Sequence, residues 1–152
     1  MMESSIGLRR AGDEVVVRVA GRATAIFGAD LREALLAAQT QGVRRIVFDL
    51  GQCTYMDSTF IGVLAMAVAE SRRTAVEVQV ANAGPTPRGL LAGLGVDGLF
   101  TYVDRAPLAG PWEPLLKRPV ATAAGQLQAM GRTALAAHEA LGAANPQNVP
   151  RF

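Results

Sequence analysis

The sequence predicts an α/β domain built on a mixed, mostly parallel sheet with helices packed on it, followed by a C-terminal helical extension. Three observations carry that prediction. Strand and helix patterns alternate from Ile46 to Val103, and such alternation favours right-handed crossovers between parallel strands. The run Ile46-Val47-Phe48 is apolar without interruption, as suits a strand covered on both faces. After Arg105 prolines and glycines interrupt the alternation, and a long helical pattern of small side chains follows.

The elements follow in order. Ile6–Arg10 and Val15–Ala20 read as strands, joined into a hairpin by the turn residues Ala11-Gly12-Asp13. From Asp30 to Thr40 the helical spacing puts Leu31, Leu35 and Ala38 on one face. Ile46–Leu50 is the doubly covered strand. Ser58–Ser71 is a helix apolar almost all round from Phe60 to Ala69, which marks it as the most buried one, with Glu70 to Arg73 emerging at its end. Val76–Val80 is the next strand, Thr86–Leu94 a short helix closed by Gly95, and Phe100–Val103 the last strand of the alternation.

Residues 1–105 therefore form the expected domain. Residues 106–119 are a connector with Pro107, Gly110, Pro111, Pro114 and Pro119, in which Trp112 and Leu115-Leu116 are apolar anchors. Residues 120–152 are the expected C-terminal helix and tail: Ala123, Leu127, Met130, Ala134, Ala137 and Leu141 form a narrow stripe of mostly small side chains, interrupted by Gly125 and Gly131. Such a stripe must dock. Its receiving surface is either the domain's own helices or, as the less favoured choice, the same helix of a second copy in a homodimer.

Composition narrows the chemistry. A chain of 152 residues buries enough surface to need no covalent staples, and its single cysteine, Cys53, reads as an inert buried thiol in a reducing compartment. The first residues lack the apolar core of a secretion signal, and the longest apolar run is far short of the ~20 residues that span a bilayer. The expectation is a cytoplasmic protein without membrane insertion. The net charge is +2 and the Lys and Arg residues are scattered, which suits solvated faces better than direct nucleic-acid binding.

No cofactor motif is present: the glycines from Gly89 to Gly95 lack the lysine of a phosphate loop and follow a helix pattern instead of opening one. His138, the only histidine, lies on the tail helix and reads as a solvated or packing residue, so neither a metal cluster nor a Ser-His relay is expected. Asp49 and Asp57 are a weak pair for acid–base work, with turn and capping roles preferred.

One stretch stands apart, FDLGQCTYMDSTFIGVL from Phe48 to Leu64. Here a buried strand runs through a short connector into Asp57-Ser58-Thr59 and the apolar helix. The first amides of a helix lack internal partners and carry partial positive charge, so a hydroxyl there is a candidate phosphate acceptor. On the local pattern alone a plain cap by Asp57 or Ser58 is the stronger reading.

The wider stretch resembles the STAS family, whose signature is an apolar strand with Asp, a short connector, and Asp-Ser-Ser/Thr-Gly before an apolar helix. The resemblance extends to Val15–Ala20 with Gly21-Arg22, and to Asn82-Ala83 with Leu90-Leu91, Leu94-Gly95 and Leu99-Phe100, covering about Ile6 to Arg105. It implies a STAS-like fold and a non-catalytic anti-sigma factor antagonist. In that family the Ser after the Asp, here Ser58, is phosphorylated by an anti-sigma factor serine kinase of the histidine-kinase-like ATPase fold. Phosphorylation then switches partners in transcription regulation.

Asp57, Ser58, Thr59 and Phe60 form the expected partner surface, and because the loop from Gly21 to Gly28 follows a strand that should neighbour theirs, Thr24, Ile26 and Phe27 are expected to join it, with Ile26 and Phe27 exposed. Phe60 departs from the family pattern, which has Gly there; its ring either buries inward or contacts a partner. An alternative, also implied by resemblance, is a subunit bound to an ABC-transporter ATPase in lipid trafficking. A third, a small hydrolase or phosphotransferase using Asp49 and Asp57, has the least support.

Overall fold

The computed structural model of the protein describes residues 4–106, 111–115 and 123–151. Pro107, Gly110, Leu116, Pro119 and the side chains of Ala123 and Leu127 lie outside the described residues. The chain opens with a hairpin of β1 (Ser5–Ala11) and β2 (Glu14–Ala23), its turn made by Gly12 at a φ of 62° that suits glycine. Then come α1 (Ala25–Thr40), β3 (Arg45–Met56), α2 (Ser58–Thr74), β4 (Glu77–Ala81), α3 (Pro85–Gly93), a short 3-10 turn and β5 (Thr101–Val103). With β6 (Glu113–Pro114) at one edge, the sheet order is β5-β4-β3-β2-β1-β6, with β2 to β5 mutually parallel and β1 and β6 antiparallel to their neighbours. The mixed, mostly parallel sheet follows the sequence pattern.

Two expectations need correction. Strands β2 and β3 run on past Ala20 and Leu50 to Ala23 and Met56, pairing Gly21 with Cys53, Arg22 with Tyr55 and Ala23 with Met56. Register shifts on either side of Gly21, whose φ is 75°, keep the ladder going through residues that read as a loop. The Arg22 guanidinium lies 4.4 Å from the centre of the Tyr55 ring, tying the two strand ends together across the sheet. Helix α1 accordingly begins at Ala25 and not at Asp30, so Gly21 to Gly28 is no exposed loop.

The connector is likewise part of the fold. Glu113–Pro114 forms β6 against Gly7 and Leu8, and the amide of Leu115 donates to the carbonyl of Ile6 at 2.9 Å. The Leu115 side chain is buried in the main core. Trp112 packs against Gly7 and, with Val16, Val47, Ala81 and Val103, closes the sheet face opposite the helices. The alternation along β3 explains this: Ile46 and Phe48 enter the main core while Val47 faces the smaller cluster.

Beyond β5, Arg105 returns the chain to the sheet through a two-pronged pairing with Glu14, at 2.8 and 3.1 Å, and its amide donates to Asn82 Oδ1 at 2.9 Å. Helix α4 (Ala123–Ala144) lies across α2 and α1 and buries Thr133, Ala137 and Leu141. The tail thus docks on its own domain's helices. Its end is clamped by Asn148, 1% exposed, whose side-chain amide donates to the carbonyls of Leu94 and Leu141 at 2.8 and 3.1 Å.

Cys53 is buried and unpaired, and its burial pushes the thiol up from its ordinary range.

Candidate functional site

Because β2 and β3 are parallel neighbours with Ala23 opposite Met56, the chain leaves the sheet twice at adjacent points, and the Asp57 amide donates to the Ala23 carbonyl at 3.0 Å. Thr24 and Asp57 are then the N-cap residues of α1 and α2, both with extended backbone. Asp57 does two jobs. Its Oδ1 accepts from the Phe60 amide at 2.9 Å, capping α2, and its Oδ2 accepts from the Ala25 amide at 2.8 Å, capping α1. Thr24 makes no side-chain cap of its own, so the second helix supplies the acceptor that the first lacks. A carboxylate between two positive helix ends is also favourably placed electrostatically.

Ser58 is the first residue of α2 and half-buried. Its Oγ lies 3.2 Å from Nε2 of His138 on α4, and Oγ1 of buried Thr59 lies 3.5 Å from the same nitrogen. Donor and acceptor roles follow the imidazole tautomer. What brings His138 here is close helix packing. A Cβ placed on Gly62 of α2 would lie 2.5 Å from the Cβ of Ala137 and 2.6 Å from its carbonyl oxygen, so only glycine permits this approach. One turn further along α4, the Thr133 methyl lies 3.3 Å from where a Cβ on Gly28 of α1 would stand, and the Thr59 methyl 3.4 Å from it.

The residues singled out in sequence fare differently. Asp57, Ser58 and Thr24 gather at the paired helix starts, and Ile26, 44% exposed, is on the surface of α1. Phe27 is corrected: it sits inside the first turn of α1 at 8% exposure and contributes to the core. Phe60 is corrected as well, because its ring takes the inward option and is fully buried, which leaves it no surface to offer a partner. Thr59 is also buried.

His138 was the residue missed. Read in sequence as a solvated or packing residue, it is brought to Ser58 by the packing of α4 on α2, across 80 residues of sequence. The one signal in sequence is its place beside Ala137, at the edge of the buried stripe. The oxygens of Asp57 are taken by backbone amides, so this pair is not built like a Ser-His-Asp relay.

Asp49 takes a turn role, its Oδ1 accepting from the Gly51 amide at 3.0 Å. Seven residues of strand separate it from Asp57, roughly 25 Å, which is too far for shared acid–base work. Among the described residues no group of three His, Cys, Asp or Glu side chains is placed to hold a metal ion, and no helix is long and apolar enough to cross a membrane.

Comparison with known proteins adds to this geometry. A family model described as "Mlab, STAS domain" matches residues 6–102. Among solved structures, the anti-sigma factor antagonist SpoIIAA in its unphosphorylated form is similar with a TM-score of 0.60 and 21% identity, covering 67% of this chain and 89% of that one. SpoIIAA of Bacillus in the phosphorylated form gives 0.57 and 21%, covering 67% and 92%. An anti-sigma factor antagonist from Mycobacterium paratuberculosis gives 0.54 and 18%, covering 86% and 95%. At such identities the likeness is one of fold. A search of curated proteins finds no match.

Proposed function

Because this chain belongs to the STAS family, we propose that it is a non-catalytic signalling module of the cytoplasm, an anti-sigma factor antagonist that binds an anti-sigma factor serine kinase and is released when Ser58 is phosphorylated. The observation that carries the reading is the half-buried Ser58 hydroxyl at the first position of α2, directly after the Asp57 cap. The fold it shares with SpoIIAA, solved in both its unphosphorylated and phosphorylated forms, supports it.

The physics of the switch is local. A phosphoryl group adds about −1.5 to −2 charges. The Asp57 carboxylate beside it is already negative, so a docked acidic or apolar partner surface is repelled and left poorly solvated. Ile26, exposed at the start of the neighbouring helix, is the apolar contact this surface offers.

The test is incubation with candidate kinases of the histidine-kinase-like ATPase fold and ATP, followed by intact-mass measurement. A single phosphate that disappears in Ser58→Ala is the expected result. Ser58→Asp should then weaken kinase binding by a few kcal/mol, the usual cost of an unpaired charge in a desolvated interface. Binding of Ser58→Asp equal to that of the unmodified protein would end the reading.

One observation favours a second reading. The imidazole of His138 stands against Ser58 in the docked state, which suits a constitutive subunit whose serine only begins a helix. A subunit bound to an ABC-transporter ATPase in lipid trafficking is that alternative. It requires co-purification with such an ATPase, unaffected by Ser58→Ala or Ser58→Asp.

A further inference from the structure

We propose that α4 is an intramolecular lid over Ser58: the hydroxyl receives a phosphoryl group only when α4 swings off α2, and the modified residue then holds the helix away. The proposal deepens the antagonist reading and rests on it for the relevance of Ser58. The lid itself stands on packing.

Space is the first argument. The Ser58 oxygen has the His138 imidazole 3.2 Å away, hydrogen-bond distance, so there is no gap on that side for a phosphorus with three further oxygens. Nor does α4 have slack to give. Gly62 meets the Ala137 backbone without room for a methyl group, and Thr133 fills the angle above Gly28, so a small rigid shift outward breaks the close packing that holds the helix.

The second argument is the uneven anchoring of α4. Its C-terminal end is locked by fully buried Leu141 and by the two bonds of Asn148. Towards the other end Leu135 is exposed, and a Cβ built on Gly131 would meet nothing within 4 Å. Among the described side chains from Ala129 to Ala137, the buried ones are Thr133 and Ala137, both small. A stretch of helix held by small buried contacts opens at lower cost than the whole domain unfolds. His138 lies between the two regimes, one residue from the Gly62 contact.

Charge supplies the third. The two oxygens of Asp57 already accept from the Phe60 and Ala25 amides, so those two donors are taken, and a phosphate on Ser58 has a like charge beside it.

The experiment needs no kinase. Phosphoserine is incorporated at position 58 by genetic code expansion, and hydrogen exchange is followed in the full chain. Amides from Thr133 to Leu141 should exchange at least about tenfold faster than in the unmodified protein, while those of Val15 to Ala20 stay protected. Unchanged or stronger protection of α4 would mean that the helix docks with the phosphate in place, and the lid proposal would be wrong.

A second measurement covers poor folding of the phosphoprotein. In Cys53→Ser/Ser58→Cys protein, the rate of reaction with an aromatic disulfide reagent is taken per thiolate from its pH profile. Adding Ala137→Leu, which wedges α4 off Gly62, should raise that rate about tenfold. Equal rates with and without the wedge overturn the proposal. Loosening of α4 by phosphoserine with no kinase able to modify Ser58 would retire the antagonist reading and leave the lid standing.

Discussion

The double cap at Asp57 sets a defined stability cost. Asp57→Ala removes the acceptor for both the Phe60 amide, at 2.9 Å, and the Ala25 amide, at 2.8 Å. Loss of an N-cap costs about 1 kcal/mol, and a bond to a charged group about 1.5–3 kcal/mol when deeply buried. Asp57 is only half-buried, so the lower figures apply, and two bonds of about 1–1.5 kcal/mol give a total of about 2–3 kcal/mol. Asp57→Asn separates the two. Asparagine caps a helix as well as aspartate does, so α2 stays closed, but its side-chain NH2 then faces the Ala25 amide and the cap of α1 is lost, at about 1–2 kcal/mol. Urea unfolding monitored by far-UV circular dichroism measures both. With a slope of about 2 kcal/mol per molar, Asp57→Ala should shift the midpoint down by about 1–1.5 M at unchanged slope. A loss in Asp57→Ala of no more than about 0.5 kcal/mol would refute the idea that one carboxylate closes two helices.

Other expectations follow from the same geometry. Phe60→Ala, at a fully buried ring, should cost about 3–5 kcal/mol in urea unfolding. By contrast, Ile26→Ala at an exposed position should stay within about 0.5 kcal/mol in that assay, and weaken kinase binding in calorimetry. Truncation after Arg105 removes β6, Leu115, Ala137 and Leu141, so the fragment should melt well below the full chain in calorimetry. Burial raises the Cys53 thiol, so the stability it contributes is present below the ordinary thiol pKa and lost as pH rises through the raised one. Cys53→Ser should therefore flatten the fall in stability measured by urea unfolding at alkaline pH. The Glu77 carboxylate is held low by Gln79 and Arg45; being exposed, it adds little to acid sensitivity, and Glu77→Gln should leave the acid limb of the same curve nearly unchanged.

Much of the fold was legible because it rests on periodicity. The run Ile46-Val47-Phe48 announced a strand covered twice, and the all-round apolar stretch after Ser58 announced the buried helix. What was not legible depends on contacts between distant segments. Nothing local says that Gly21 continues a strand through a bulge, since glycine beside arginine reads as a turn until a partner strand is known. The start of α1 was obscured because its cap comes from Asp57, 32 residues later, and not from Thr24 next to it. His138 failed the test of company in sequence and passed it in space: its neighbour at Ser58 is supplied by the fit of Ala137 against Gly62.

The short margins of the sheet bear on how this protein meets others. On one side β5 is three residues long; on the other β6 is two, and one of these is Pro114, which has no amide proton to give. The part of β1 beyond the β6 pairing carries Arg9 and Arg10. Brief margins, proline and charge are the features that keep sheets from joining strand to strand. Copies of this chain should therefore resist stacking into fibres, and a peptide seeking to add itself as an extra strand finds almost no ladder to climb.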